Sequence, residues 1–199
     1  MSAHTHDHEH SAAVSNRVKG LVARLERDGF TTESDLDRIV EEFLRLSRKE
    51  NAYRAVARAW VDPEYKRRLL EDGSAALAEL GIDLSHWSPV RLRVVENTSQ
   101  THNVIVCTLC SCYPIALLGP SPTWYKSEAY RSRVVRDPRS ILAEFGITLP
   151  PEQAVAVWDS TSEVRYMVLP QRPAGTEDLS EAELAALITR DGLIGTALL

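Results

Sequence analysis

Cysteine is missing from nearly the whole chain. The sequence has three, and all of them fall between positions 107 and 112. No disulfide can therefore tie distant parts of the fold together, and the crowding itself needs a chemical reason. Long apolar runs are missing too. No stretch approaches the roughly 20 residues of a membrane span. Met1 to Ser15 is polar and rich in His and Ala, without the apolar centre of a secretory signal. The expectation is a cytoplasmic protein with no membrane partner. There is no basic excess either: 23 Lys and Arg against 28 Asp and Glu leave a formal charge of -5. Nothing in that balance offers a cationic field to nucleic acid. No internal repeat is present. What remains is ordinary for a globular chain, 44% hydrophobic and 26% charged over 199 residues. That length suits one sizeable domain, or a domain and an arm.

The segment His4-Thr5-His6-Asp7-His8-Glu9-His10 alternates histidine with other residues. Such a tract binds metal weakly, and the expectation for residues 1–14 is a disordered, His-rich tail. Val18, Leu21, Val22 and Leu25 then share a helical face that stops at Gly29. Leu36, Ile39, Val40, Phe43 and Leu44 share another, after Thr32 or Ser34 as cap. A third helix spans about Asn51 to Trp60. These stretches are thin in aromatics and rich in charge, so residues 15–60 are expected to form a helical arm contacting a partner subunit.

From residue 61 to 199 the period keeps changing. Asp62-Pro63 opens a helix that ends near Gly73, and a short helix with Ala76, Leu77 and Leu80 closes at Gly81. Val90 to Val95 alternates as a strand, Asn97 to Gln100 is a turn, and Val104-Ile105-Val106 is a short buried strand. That strand delivers the chain into Cys107. A helix is expected over Trp124 to Arg136 and another after Asp137-Pro138. Ala154 to Trp158 and Val164 to Leu169 read as strands, and Ser180 with Glu183 as a capping box. Strands and helices mix without a βαβ rhythm. The expected class is α+β: a helical arm, then a layered domain with a mixed sheet.

Cys107-Thr108-Leu109-Cys110-Ser111-Cys112 offers a metal an unusual donor set. The sulfurs of Cys110 and Cys112 and the deprotonated backbone nitrogens of Ser111 and Cys112 close one six-membered and two five-membered chelate rings. A single tripeptide thus supplies a planar set, and Cys107 reaches an axial position. Displacing amide protons requires a strongly Lewis-acidic trivalent centre, and soft thiolates favour a transition metal over magnesium or calcium. Spacing alone leaves other readings open. A zinc site with His102 as fourth ligand, in a non-catalytic binding module, is one. A redox pair with a spare thiol is another.

The flanks decide between them. Val106 to Cys112 resembles the metal-binding signature of the nitrile hydratase α subunit. So do Ala57 to Pro63, Glu96-Asn97-Thr98, Trp124-Tyr125-Lys126, Leu142 to Gly146, Arg165 to Glu177 and Leu193-Ile194-Gly195. The resemblance implies a non-corrinoid cobalt(III), or less often iron(III), held by Cys107, Cys110, Ser111 and Cys112. Thr108 is the residue typical of the cobalt class. Cys110 would be oxidised to sulfinic acid and Cys112 to sulfenic acid. Cys112 and Ser111 would be the catalytic residues, and a nitrile would be hydrated to its amide. A β subunit, whole or split in two, would supply two arginines, and a metallochaperone would assist loading. Tyr125, Arg131 and Arg136 are candidates for supporting the loop. The chain departs from the family after the motif. Where many members read Tyr-Pro-Trp-Pro, this one reads Tyr113-Pro114-Ile115-Ala116. Ile115 in place of an indole changes the wall of the expected substrate pocket. It also keeps open a bulky heteroaromatic nitrile, or the related thiocyanate hydrolase.

Overall fold

A computed structural model describes residues 3–84, 90–109 and 112–199. The chain divides into two units, one through Leu46 and one from Ser47 to Leu199.

The first unit holds two helices, α1 (Ala3–Arg27) and α2 (Glu33–Leu46). Gly29 takes φ 73 and ends the first helix, with Phe30 N–H donating to Leu25 O. That is the left-handed cap for which glycine carries no Cβ penalty. Thr32 then caps α2, its hydroxyl accepting from Asp35 N–H. The backbone is helical from Ala3, so the segment expected as a disordered tail enters α1 instead. The apolar stripe legible in the sequence lies exposed: Val18, Leu21, Ile39 and Val40 all face solvent.

The second unit begins earlier than the expected boundary at residue 61. Helix α3 (Lys49–Val61) belongs to it, because Ala52, Ala55, Val56, Ala57 and Ala59 are buried along one face. Small side chains let that face pack closely against α9 (Glu181–Leu187). Asp62 caps α4 (Pro63–Glu71) by accepting from Glu64 and Tyr65 N–H, and Asp72 caps α5 (Gly73–Glu79). Four strands follow: β1 (Arg91–Glu96), β2 (Thr101–Val106), β3 (Ala154–Asp159) and β4 (Val164–Leu169).

Among the described residues the strands form two parallel pairs, β1 with β4 and β2 with β3, in place of the expected mixed sheet. The turn from β1 to β2 explains why those neighbours do not form a hairpin. Asn97 N–H donates to Leu169 O across the first pair. Its side-chain carbonyl accepts from Asn103 N–H at 2.7 Å in the second. Asn103 Nδ2 donates to Glu96 O at 2.7 Å. Two amide side chains therefore splice the pairs together where a hairpin ladder would otherwise run. The core holds Leu69, Leu77, Ile105, Met167, Leu169 and Leu193, all essentially inaccessible.

Of the remaining elements, the first packs on α3, and others pack on β3 and β4. They are α6 (Ile115–Leu118), a 3-10 turn (Thr123–Lys126), α7 (Glu128–Val134), α8 (Pro138–Glu144) and α10 (Arg190–Ile194). The expected single helix from Trp124 is broken at Ser127, whose hydroxyl caps α7 by accepting from Tyr130 N–H.

Candidate metal centre

Parallel pairing brings the carboxyl ends of β2 and β3 together, with Val106 opposite Asp159 in the register. The chain leaves β2 at that point and enters the cysteine loop. Ser160 N–H donates to Val106 O at 2.7 Å, closing the end of the pair. Cys107 follows at 1% exposure. Asp159 then holds the next residue twice: its carboxylate accepts Thr108 N–H at 2.9 Å and the Thr108 hydroxyl at 2.5 Å. Arg131, from α7, approaches the same residue with Nη1 at 3.4 Å from Thr108 O. Leu109 projects outward at 92% exposure.

Cys110 and Ser111, two of the expected ligands, lie outside the described residues. The loop is described again at Cys112, whose carbonyl accepts the Tyr125 hydroxyl at 2.9 Å. Tyr125 is buried within a set of edge-packed rings. Tyr113 is 5.0 Å away between centroids, and Trp124 and Tyr130 stand 4.9 Å apart beside it. Burial pushes the Tyr125 phenol well above the ordinary tyrosine value, and the neighbouring Tyr130 and Cys107 push the same way. The hydroxyl is therefore a fixed donor. Tyr130 does the same one step back, donating to Ile105 O at 2.8 Å.

These anchors bear on which metal chemistry the chain fits. Cys107 and Cys112 are soft donors at the two ends of a loop tied by Ser160, Asp159 and Tyr125, which suits a thiolate-bound transition metal. His102 does not complete a zinc set. Its Nε2 lies 2.8 Å from Gly195 O, and since a carbonyl only accepts, that nitrogen carries the hydrogen. Nδ1 faces Asn97 Nδ2 at 3.4 Å. Burial lowers the His102 pKa, opposed by the bond to Gly195. This is a neutral structural histidine.

Ile115 opens α6 and is half-buried. With Tyr113, Pro114 and Leu92 it lines an apolar cavity of about 70 Å³. Arg136 is exposed beyond α7, its N–H donating to Arg133 O. Asp159 and Tyr130 were not expected from sequence. Asp159 acts on the loop, and Tyr130 on the strand that precedes it, each from more than 20 positions away along the chain, and no local pattern marks them.

Fold and loop together define a chain that carries a cysteine-rich segment at the end of a parallel strand pair. The profile of the family described as nitrile hydratase, alpha chain, matches residues 12–197. The low-molecular weight cobalt-containing nitrile hydratase subunit alpha of Rhodococcus rhodochrous is 47% identical over 184 residues, 92% of this chain and 88% of that one. The thiocyanate hydrolase subunit gamma of Thiobacillus thioparus is 42% identical over 182 residues, covering 87% and 74%. A double mutant of the Fe-type nitrile hydratase from Comamonas testosteroni Ni1 superposes with a TM-score of 0.88 at 42% identity, covering 94% of this chain and 91% of that one. The chain belongs to the nitrile hydratase alpha-chain family.

Proposed function

We propose that this chain is the metal-binding catalytic α subunit of a cobalt nitrile hydratase, adding water across a nitrile to give the amide. The observation that carries the reading is the Cys107–Cys112 segment itself, tethered at Val106, Thr108 and Cys112 in a chain of this family. Thr108 and the 47% identity to a cobalt-containing relative favour cobalt over iron.

Cys107, Cys110, Cys112 and the backbone nitrogens of Ser111 and Cys112 would hold the metal. Cys110 would be present as sulfinic and Cys112 as sulfenic acid. When bound, a trivalent cobalt supplies the Lewis acidity that polarises the C≡N bond. The protein's own groups do the positioning. Asp159 fixes the start of the loop and Tyr125 its end, so the donor atoms arrive in a set geometry. Cys112 and Ser111 would be the catalytic residues, Cys112 through its oxidised sulfur and Ser111 by orienting the site. Ile115 and its apolar neighbours receive the substituent of the nitrile. A β subunit supplies the arginines that hold the oxidised sulfurs, a metallochaperone assists loading, and the assembly works in the cytoplasm. No helix among the described residues is long and apolar enough to cross a membrane.

Thiocyanate hydrolysis is the second reading, favoured by the 42% identity to a subunit of that enzyme and by Ile115 at the pocket wall. One experiment separates the two. The purified complex is analysed for metal, its loop peptide is weighed by mass spectrometry, and it is assayed with acrylonitrile, a heteroaromatic nitrile and thiocyanate. Stoichiometric cobalt, oxygen on Cys110 and Cys112, and amide from a nitrile are expected. Stoichiometric zinc with unmodified thiols would sink the proposal, and turnover of thiocyanate alone would select the second reading.

A further inference from the structure

Trp158 on β3 and Gly195, just past α10, are joined through three buried polar side chains, and every bond along the way runs in one direction. Trp158 Nε1–H donates to Asn103 Oδ1 at 2.8 Å. Asn103 Nδ2–H donates to Asn97 Oδ1 at 3.0 Å, and the Asn103 backbone N–H reaches the same oxygen at 2.7 Å. Asn97 Nδ2 stands 3.4 Å from His102 Nδ1, and His102 Nε2 lies 2.8 Å from Gly195 O. Both ends are fixed in role, because an indole N–H only donates and a carbonyl only accepts. Either end leads to the same tautomer: His102 carries its hydrogen on Nε2 and accepts at Nδ1. Asn97, His102 and Asn103 are all buried, so bulk water does not replace a broken link.

A chain with both ends fixed has no place for another proton. On His102 Nδ1 it would meet the Asn97 N–H. Turning the Asn97 amide over would offer the imidazolium an acceptor, but would set Nδ2 against two N–H donors of Asn103. A link is lost either way. No carboxylate on the neighbouring elements is left to hold the charge: Glu96 on β1 pairs with Lys66, Asp159 on β3 with Thr108 and Asp191 on α10 with Arg190. The cations there are Arg91 and Arg93 on β1, Arg165 on β4 and Arg190 on α10, and like charge does not favour an imidazolium. The network also sits where β2 is held. His102 and Asn103 lie in the strand that ends at Val106 and leads into Cys107, and the turn at Gly195 is packed onto the Asn103 backbone. We propose that this one-way network is a proton-sensitive joint: His102 is a positioning residue for the cysteine loop, and its protonation frees β2 from the C-terminal turn and loosens the metal site that the strand leads into. Only the last clause rests on the proposed metal site.

The intact complex, with its resident metal in place, is taken from pH 8 to 5. Three quantities are followed: Trp158 emission, assigned by difference from Trp158→Phe; the unfolding equilibrium constant; and the rate at which a chelator removes the metal. His102→Gln removes the titrating group and leaves the carboxylates, so the ratio of wild type to variant isolates His102. Below pH of about 6.5 an unfolded chain takes up a proton that native His102 refuses, and the wild type loses stability as pH falls. The ratio of unfolding constants should climb by up to about tenfold per pH unit there, with the ratio of metal-release rates climbing beside it. Asn97→Asp sets a carboxylate against Nδ1. It should reverse the slope, with stability lost as pH rises above about 6.5, and it carries the test if His102→Gln does not fold. Ratios flat from pH 7 to 5, or Trp158 emission that ignores pH, would overturn the proposal. An unfolding ratio that climbs while metal release stays flat would overturn the link to the loop. Zinc found in place of cobalt would defeat the proposed function and leave these expectations unchanged.

Discussion

Tyr125→Phe isolates one anchor of the cysteine loop. The substitution keeps the ring and with it the edge packing on Tyr113 and Trp124. It removes only the hydroxyl that donates to Cys112 O at 2.9 Å. Loss of a donor costs about 1–3 kcal/mol at a buried carbonyl, and the Cys112 carbonyl is part-buried. If that energy is expressed as loss of loop positioning, kcat/KM falls by about 5- to 150-fold, since roughly 1.4 kcal/mol is tenfold. Tyr130→Phe is the control. It removes a bond of similar length, 2.8 Å, from a residue buried to a similar degree. Its acceptor, Ile105 O, belongs to β2 and not to the loop. Both variants should lose comparable stability in denaturant unfolding of the complex. Only Tyr125→Phe should also lose turnover or cobalt per chain. Equal kinetic losses in the two, or kcat/KM and cobalt content within twofold of wild type for Tyr125→Phe, would refute the anchoring argument.

Four further outcomes follow from the same structure. In a double-mutant cycle, Asp159→Asn and Thr108→Val should couple by about 1–2 kcal/mol in loop stability, read as resistance of the bound cobalt to a chelator; additive losses would show that the two bonds at Thr108 do not hold the loop. Ile115→Trp should fill the cavity of about 70 Å³ beside α6 and shift the ratio of kcat/KM toward acrylonitrile and away from a heteroaromatic nitrile; an unchanged ratio would remove Ile115 from the pocket wall. Gly195→Ala should cost roughly 1–3 kcal/mol from its φ of 91 alone, and more because the added Cβ would fall 1.9 Å from Asn103 O; a thermal midpoint within a degree of wild type would contradict it. Stability should fall on the alkaline side. Burial pushes Tyr65 up to about 12 and raises Tyr113, Tyr125 and Tyr130 as well. The folded state then keeps protons that the unfolded chain releases above pH of about 10, at a cost of about 1.4 kcal/mol per pH unit for each such tyrosine; a flat unfolding free energy from pH 9.5 to 11.5 would refute it.

The residues of the loop were legible in the sequence, and the groups that hold it were not. The crowding of Cys107, Cys110 and Cys112 is local and visible in the sequence, and the flanking resemblance is what turned it into an expected ligand set with Ser111. Helix starts are local too, which is why the caps at Asp62, Asp137 and Ser180 stand where the sequence put them. Strand pairing is a choice among distant partners, and here polar side chains make that choice. Thr101, His102 and Asn103 are polar, and the expected buried strand was confined to the apolar run Val104-Ile105-Val106. The three polar residues are the first half of β2, because His102 and Asn103 find Gly195 O, Glu96 O and Asn97 to bond. The arm boundary was misplaced for a related reason. An alanine-rich face looks too thin to build a core until α9 supplies the surface it packs on. Asp159 reaches Thr108 only because β2 and β3 run parallel in one register. If the strands set that geometry, the loop sequence moved onto an unrelated hairpin should lose it, however faithfully its cysteines are copied. The cysteines specify which atoms can bind, and the parallel pair with its tyrosine and aspartate anchors specifies where those atoms stand.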